Sequence, residues 1–309
     1  MIALFRNNSL CHRAVRTRAG AWLLGLMFLI PAVVDAGLIN EWEPLDLEGS
    51  TIKPALVVKA GQPWRDPTSE ASLLWINGGC FPMGSPPRAD GRETDEGPVH
   101  EVCVNDFWLG ETEVTQGQWR RVMHNNPSRF RKGDNYPVES VSREEVNEFI
   151  ATLNAQVRLN VQFRLPTEAE WEFACRGGGQ RIVFPGGSDP ARVAWFGGNS
   201  NGTTQPVGQR PANRLGLRDM SGNVWEWIQD LYQPGYGQQD PVKTPGYASF
   251  HTIRGGGWQD DPSALRCANR GFQSLTSRRP DLGLRLAASP RIKEKKVKIR
   301  QTDSKHMPF

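Results

Sequence analysis

Arg164–Gly178 (RLPTEAEWEFACRGG) and Asp219–Trp227 (DMSGNVWEW) are the two stretches on which the reading of the fold turns. In the first, Thr167-Glu168-Ala169-Glu170 forms a capping box directly after Pro166, so the spacing predicts a helix that stops at Gly177-Gly178. In the second, Asp219 and Glu226 stand seven residues apart with Ser221-Gly222 between them. A glycine turn between two carboxylates is a way to converge hard oxygen ligands on one cation, and it also supports a segment that has no regular ladder.

Outward from these stretches, two more helices are signalled. Ser142-Arg143-Glu144-Glu145 is a second capping box, followed by Val146, Phe149, Ile150 and Leu153 at helical spacing. A weaker helix starts at Thr115 and runs through Trp119 to Met123. Leu73–Asn77 (LLWIN) reads as a short strand, Ser85–Pro98 as a charged loop, and Val99–Leu109 (VHEVCVNDFWL) as a second strand. Beyond Gly178, paired glycines punctuate short runs, which predicts loops and short strands packed around Trp195, Trp225, Trp227 and Trp258. No internal repeat is evident.

Composition agrees with a loop-rich body. The chain has 309 residues with 32 Gly, 23 Pro and 11 Trp, which excludes a helical bundle and points to large rings pinning irregular backbone. The formal charge of +4 is unevenly placed. Residues 1–36 carry four Arg against Asp35, and the tail from Arg291 carries seven Lys/Arg against two acids, which leaves the body mildly acidic. Such a body has no electrostatic footprint for nucleic acid.

Residues 1–18 are basic, Ala19–Val34 is an apolar run of 16 residues, and Val34-Asp35-Ala36 places small residues at a cleavage site. That architecture predicts a secretory signal peptide cut after Ala36 and a periplasmic or secreted protein. The alternative is an uncleaved N-terminal anchor, although the run is shorter than the ~20 residues of a spanning helix. Residues 37–72 read as an extended lead-in, 73–290 as the main domain, and 291–309 as a basic disordered tail. With Cys11 in the leader, Cys80, Cys103, Cys175 and Cys267 remain, an even set that permits three disulfide pairings in an oxidising compartment. No CxxC, Cys/His cluster or group of histidines suggests zinc or a three-histidine iron site.

Seven segments taken in order resemble the formylglycine-generating enzyme, or sulfatase-modifying factor, family. They are GGCFPMGS (Gly78–Ser85), ETEVTQGQW (Glu111–Trp119), YPVESVSREE (Tyr136–Glu145), RLPTEAEWEFACRGG, GLRDMSGNVWEW (Gly216–Trp227), RGGGW (Arg254–Trp258) and LGLR (Leu282–Arg285). The resemblance covers about residues 70–288 and implies an α+β, C-type-lectin-like fold, low in regular secondary structure. It also implies an exported oxidase that converts a sulfatase cysteine to formylglycine with two thiolates and copper, a soft-ligand chemistry.

The segment that would carry those thiols departs from the family pattern. Where the first thiol is expected stands Asp260, followed by Asp261, and a shortening of about three residues leaves no place for the second. Copper is therefore not expected. Cys267, in CANR, matches a structural family cysteine, so the resemblance implies a Cys175–Cys267 disulfide, and with it Cys80–Cys103 as the second bridge, joining the first two strands. It implies calcium held by Asp219 and Glu226 through side chains and by Gly222 and Val224 through carbonyls; the residue-level alternative is a tight turn with Glu226 paired to an Arg such as Arg218. A second family calcium position near Ala194–Thr203 is poorly matched, with Trp195 where a ligand Asn stands.

Trp225 and Trp258 line the substrate groove in the family, and Asp260 and Asp261 stand beside them. These two acids are expected in solvent on a loop, with a cation or polar ligand as the alternative. Arg254 and Arg285 are expected to make buried ion pairs. Three functional classes follow. One is an accessory domain of the cell envelope binding a protein or small ligand. Another is an oxidase or oxygenase with altered chemistry acting on a protein cysteine or a siderophore-type substrate. The third is a ligand-display protein of the retroelement type, whose variable segments share the frame of Arg254–Arg285 but are richer in Asn.

Overall fold

The computed structural model describes residues 57–156, 159–236, 247 and 249–291. The leader with its cut after Ala36, most of the lead-in and the tail beyond Arg291 lie outside the described residues. No helix among the described residues is long and apolar enough to cross a membrane.

Five antiparallel strands make the main sheet. β1 (Trp64–Arg65) pairs with β2 (Ser72–Ile76), β2 with β5 (Phe107–Gly110), β5 with β11 (Ala287–Pro290), and β11 with β6 (Val161–Arg164). The last strand thus lies inside a sheet begun by the first, which brings the two ends of the domain together. Period-2 alternation gives the sheet two buried faces. Leu73, Trp108, Phe163 and Ala288 meet α1 (Gln116–Met123) and α2 (Arg143–Gln156) through Trp119, Val146, Phe149 and Leu153. Ile76, Phe107, Leu109 and Ala287 belong to a second core with Trp171, Phe173 and Ala174 of α3 (Glu168–Cys175).

The three helices begin where their caps predict. Thr115 accepts from the Gln118 amide and Thr167 from the Glu170 amide, each with the reciprocal side-chain bond of a capping box. Ser142 Oγ accepts from the Glu145 amide at 3.2 Å while Glu145 Oε2 accepts from the Ser142 amide at 2.8 Å. α3 ends at Gly177, whose φ of +62° is a left-handed turn that favours glycine. A fourth, one-turn helix, α4, spans Pro190–Val193.

Two strand assignments need correction. Val99–Leu109 is not one strand: β4 (His100–Val104) and β5 separate at Asn105-Asp106 and join different sheets. The break reverses which residues face the core, so the alternation looked continuous only across it. β4 pairs with β3 (Gly79–Met83) in a two-stranded ribbon, a strand that Pro82 conceals in the sequence. The Cys80–Cys103 disulfide therefore joins β3 to β4 as directly opposed residues, not the first two strands. Cys175–Cys267 ties α3 to the C-terminal half, with both cysteines fully buried.

Four strands form the second sheet. β7 (Trp225–Leu231) runs parallel to β10 (Leu282–Gly283) and antiparallel to β8 (Phe250–Arg254), which pairs with β9 (Gly271–Ser274). Trp227 is fully buried in it. This sheet and the loops on either side position the candidate site.

Candidate functional site

Trp225 opens β7, and two hydrogen bonds fix its position. Its backbone N–H donates to the Asp281 carbonyl at 2.7 Å. Its indole Nε1 donates to Asp260 Oδ2 at 2.6 Å, and the same oxygen accepts from the Gly257 amide at 2.8 Å. Asp260 is thus a half-buried acceptor that closes its own turn against the indole, which corrects the expectation that it is solvated. Burial pushes its carboxyl above the usual range, and the bonds from Gly257 and Trp225 pull it back. Asp261 is exposed, as expected. Trp258 is half-buried, donates from Nε1 to the Pro280 carbonyl at 3.0 Å, and meets Phe130 edge-on.

Beside Trp225 lies a cavity of about 300 Å³. Its walls include Tyr232, Tyr247, Phe272 and Asp95, with Arg270 and Arg279. Both cations are already committed. Arg270 is held on Glu168 at 2.6 and 2.9 Å, and Arg279 on Asp281 at 2.8 and 2.5 Å. Tyr232 donates its hydroxyl to Asp95 Oδ2 at 2.7 Å, while burial and that acid push the phenol up. The pocket is small, with aromatic walls beside charged groups that are already paired. Asp95, Tyr232 and Phe272 were not legible as its walls, because their loops meet only in three dimensions.

The four cysteines of the described residues are all disulfide-bonded. Asp260, beside Trp225, is engaged in a structural hydrogen bond to the indole.

The turn proposed for calcium is built as its sequence suggests. Gly222 has φ of +77°, and a Cβ there would lie 2.1 Å from the Trp195 carbonyl oxygen, so only glycine fits. A cation needs ligand atoms with capacity left. Glu226 has little: it accepts from Arg285 Nη2 at 2.7 Å, Arg285 Nε at 3.0 and 3.1 Å, and Trp171 Nε1 at 2.7 Å. The Arg partner is thus Arg285, whereas Arg218 faces Glu111 at 3.5 Å. Asp219 does have capacity. Its Oδ2 accepts from the Gly208 amide at 2.5 Å, but Oδ1 is buried with no partner. Burial raises its carboxyl to about 6. Nearby Glu113 is fully buried with both oxygens unpartnered, and burial with Asp219 pushes it well up. Asp219 Oδ1 is thus an orphaned buried oxygen that could face a cation, whereas the Glu226 carboxylate is taken up by Arg285 and Trp171. Among the described residues no three side chains of His, Cys, Asp or Glu converge as a metal centre.

Arg254 makes the buried pairs its position suggested. It bonds Glu172 and lies 3.3 Å from Glu168, while Arg176 bonds Glu172 at 2.8 Å. These ions lock α3 against β8.

A loop-rich α+β body, with a five-stranded and a four-stranded sheet, a two-stranded ribbon and one capped helix bridged to the C-terminal half, defines a C-type-lectin-like fold. Residues 59–290 match the model described as the sulfatase-modifying factor enzyme 1-like domain, and the chain belongs to that family. It is similar to the chaperone protein LppX of Paenibacillus barcinonensis, 29% identical over 272 residues, covering 72% of this chain and 91% of the relative. It is similar to the hercynine oxygenase of Mycolicibacterium smegmatis, 27% identical, over 77% of this chain and 68% of that enzyme. Among solved structures it resembles PvdO from Pseudomonas aeruginosa at 27% identity and a TM-score of 0.65, over 75% of this chain and 99% of that one.

Proposed function

We propose that this protein is an exported sulfatase-modifying-factor-like domain that binds a protein or small ligand in the cell envelope, without the thiol and copper chemistry of formylglycine generation. The observation that carries the reading is the state of the cysteines: all four among the described residues are joined in disulfide bridges, and Asp260 is engaged in holding the Trp225 indole. A small pocket with aromatic walls beside that indole is what a binding domain needs. A family relative named a chaperone, matched over most of its length, supports a role other than catalysis. Fold alone does not decide between roles, so the site carries the argument.

The leader supplies the route out of the cell, by cleavage after Ala36 or as an anchor. Calcium at Asp219, Gly222 and Val224 serves as a structural ion. The test is to purify the protein, measure bound copper, iron and calcium, and incubate it with oxygen, copper and a CxPxR peptide. No copper at stoichiometry and no formylglycine is the expected result; turnover would overturn the reading. An oxygenase of altered chemistry is the second reading, favoured by the hercynine oxygenase likeness. It requires a bound redox metal, which the same metal analysis detects.

A further inference from the structure

A second cavity is larger than the Trp225 pocket. A groove of about 980 Å³ runs between the Pro82–Arg92 loop, Pro98-Val99, the Arg176–Ser188 loop and the turn Pro262–Ala268. We propose that this groove docks an extended apolar peptide segment of a partner protein that carries carboxylates beside its apolar core. The proposal rests on the reading of the chain as a binding domain and gives its partner's chemistry.

Three observations carry it. The first is exposed apolar surface. Of four large hydrophobic residues exposed among the described residues, Val99 (41%) and Val183 (52%) both line this groove, together with a series of prolines. Apolar side chains gathered in one concavity mark a contact surface more than scattered ones do.

The second is charge. Arg176 and Arg266 form the floor and are committed, to Glu172 and to Glu96. Arg92 and Arg181 at the walls have no carboxylate partner among the described residues, and Asp90 is the one acid that lines the groove. Arg92 is oriented by donating Nε to the Ser85 carbonyl at 3.2 Å and by packing its Nη2 against Gly97, and its terminal nitrogens bond no carboxylate among the described residues. Guanidinium groups beside apolar walls suit carboxylates, which they grip through paired donors.

The third is preorganisation. The Cys267 amide donates to the Val183 carbonyl at 2.8 Å, Arg176 donates to the carbonyls of Ile182 at 3.1 Å and Gly84 at 2.8 Å, and Cys175–Cys267 fixes the floor. Walls tied in this way lose little freedom when an extended segment settles, so less of the binding energy goes into ordering them.

The test is fluorescence anisotropy on the purified protein with labelled twelve-residue peptides. All share one Leu/Val/Pro core and differ only in flanks of Glu, Gln or Lys. The Glu-flanked peptide should bind about tenfold tighter than the Lys-flanked one, with an affinity that falls with salt. Arg92→Glu with Arg181→Glu should reverse that order, and Arg181→Glu alone, at an exposed residue, should shift it part way with the melting temperature unchanged. Val183→Asp should weaken the Glu- and Gln-flanked peptides. No binding, equal binding of all three flanks, or a preference untouched by the double substitution overturns the proposal. Charge-sensitive binding to phosphatidylglycerol vesicles with none to peptide overturns it in favour of a membrane surface. Oxidation of a CxPxR peptide would refute the functional reading while leaving groove binding intact, so the two failures are distinguishable.

Discussion

Replacing Cys175 and Cys267 together by alanine removes a bridge that closes 92 residues of chain. The entropy of closing a loop of that length corresponds to about 4–5 kcal/mol of stabilisation through the unfolded state. Both sulfurs are fully buried among Trp171, Leu217 and Met220, so their removal adds a small packing loss of the same sign. For a body of this size, about 2–4 °C is lost per kcal/mol, which gives a fall in melting temperature of roughly 8–20 °C. The matched control is Cys80→Ala with Cys103→Ala, whose bridge closes 23 residues between two exposed positions and is worth about 3 kcal/mol on the same scale. Urea unfolding followed by tryptophan fluorescence reads both. The expected order is wild type, then the β3–β4 variant, then the α3 variant. The denaturant slope should rise when the long loop is freed, since the unfolded chain expands. A loss below about 4 °C for the Cys175/Cys267 variant, or a larger loss for Cys80/Cys103, would refute the reasoning.

Calcium at the Gly222 turn should raise the melting temperature, and a chelator should reverse this in wild type but not in Asp219→Asn; no calcium effect in wild type removes the ion from the account. Glu226→Gln is the weaker probe of that ion, because it strips the partner of buried Arg285 and should cost about 3 kcal/mol with or without calcium, measured by urea unfolding. His251, packed against Arg143 at 2.8 Å, is held down at about 4 by burial and that charge. A folded-state pKa below the unfolded one means that the stability it contributes is full above about 6.5 and lost as pH falls toward 4, on the order of 2 kcal/mol after allowance for its partial exposure. His251→Asn should flatten that part of the stability profile; an unchanged profile would show that another group sets it. Asp260→Ala should release the Trp225 indole and cost about 1–3 kcal/mol, with a red shift in tryptophan emission, whereas a silent substitution would mean that the bond to Trp225 holds nothing.

What the sequence made legible is what local chemistry decides. Thr115, Ser142 and Thr167 cap their helices within three residues, and Gly177 ends α3 by its own conformation, so each could be read from a few letters. What stayed hidden depends on contacts between distant segments. Pro82 argues against a strand until β4 lies beside it, its one strand neighbour among the described residues. Asn105-Asp106 breaks an alternation because β4 and β5 join different sheets. Glu226 finds Arg285, 59 residues away, and not Arg218 nearby. Asp260 looked like a loop acid in solvent because nothing in its own segment shows that the Trp225 indole points at it. Glu113 sits in the quoted ETEVT motif, yet its burial without a partner is visible only once Asp219 packs near it. The groove lined by Arg92, Arg181 and Val183 likewise unites three loops with no shared pattern.

The most direct test of the central claim, that this domain keeps the family's scaffold without its reactive thiol pair, is a count of alkylatable thiols in the purified, unreduced protein unfolded in guanidinium. Peptide mapping should find Cys80 joined to Cys103 and Cys175 to Cys267, with no free thiol among the four. Two free thiols in the body, or a labelled Cys267 in the folded protein, would contradict it.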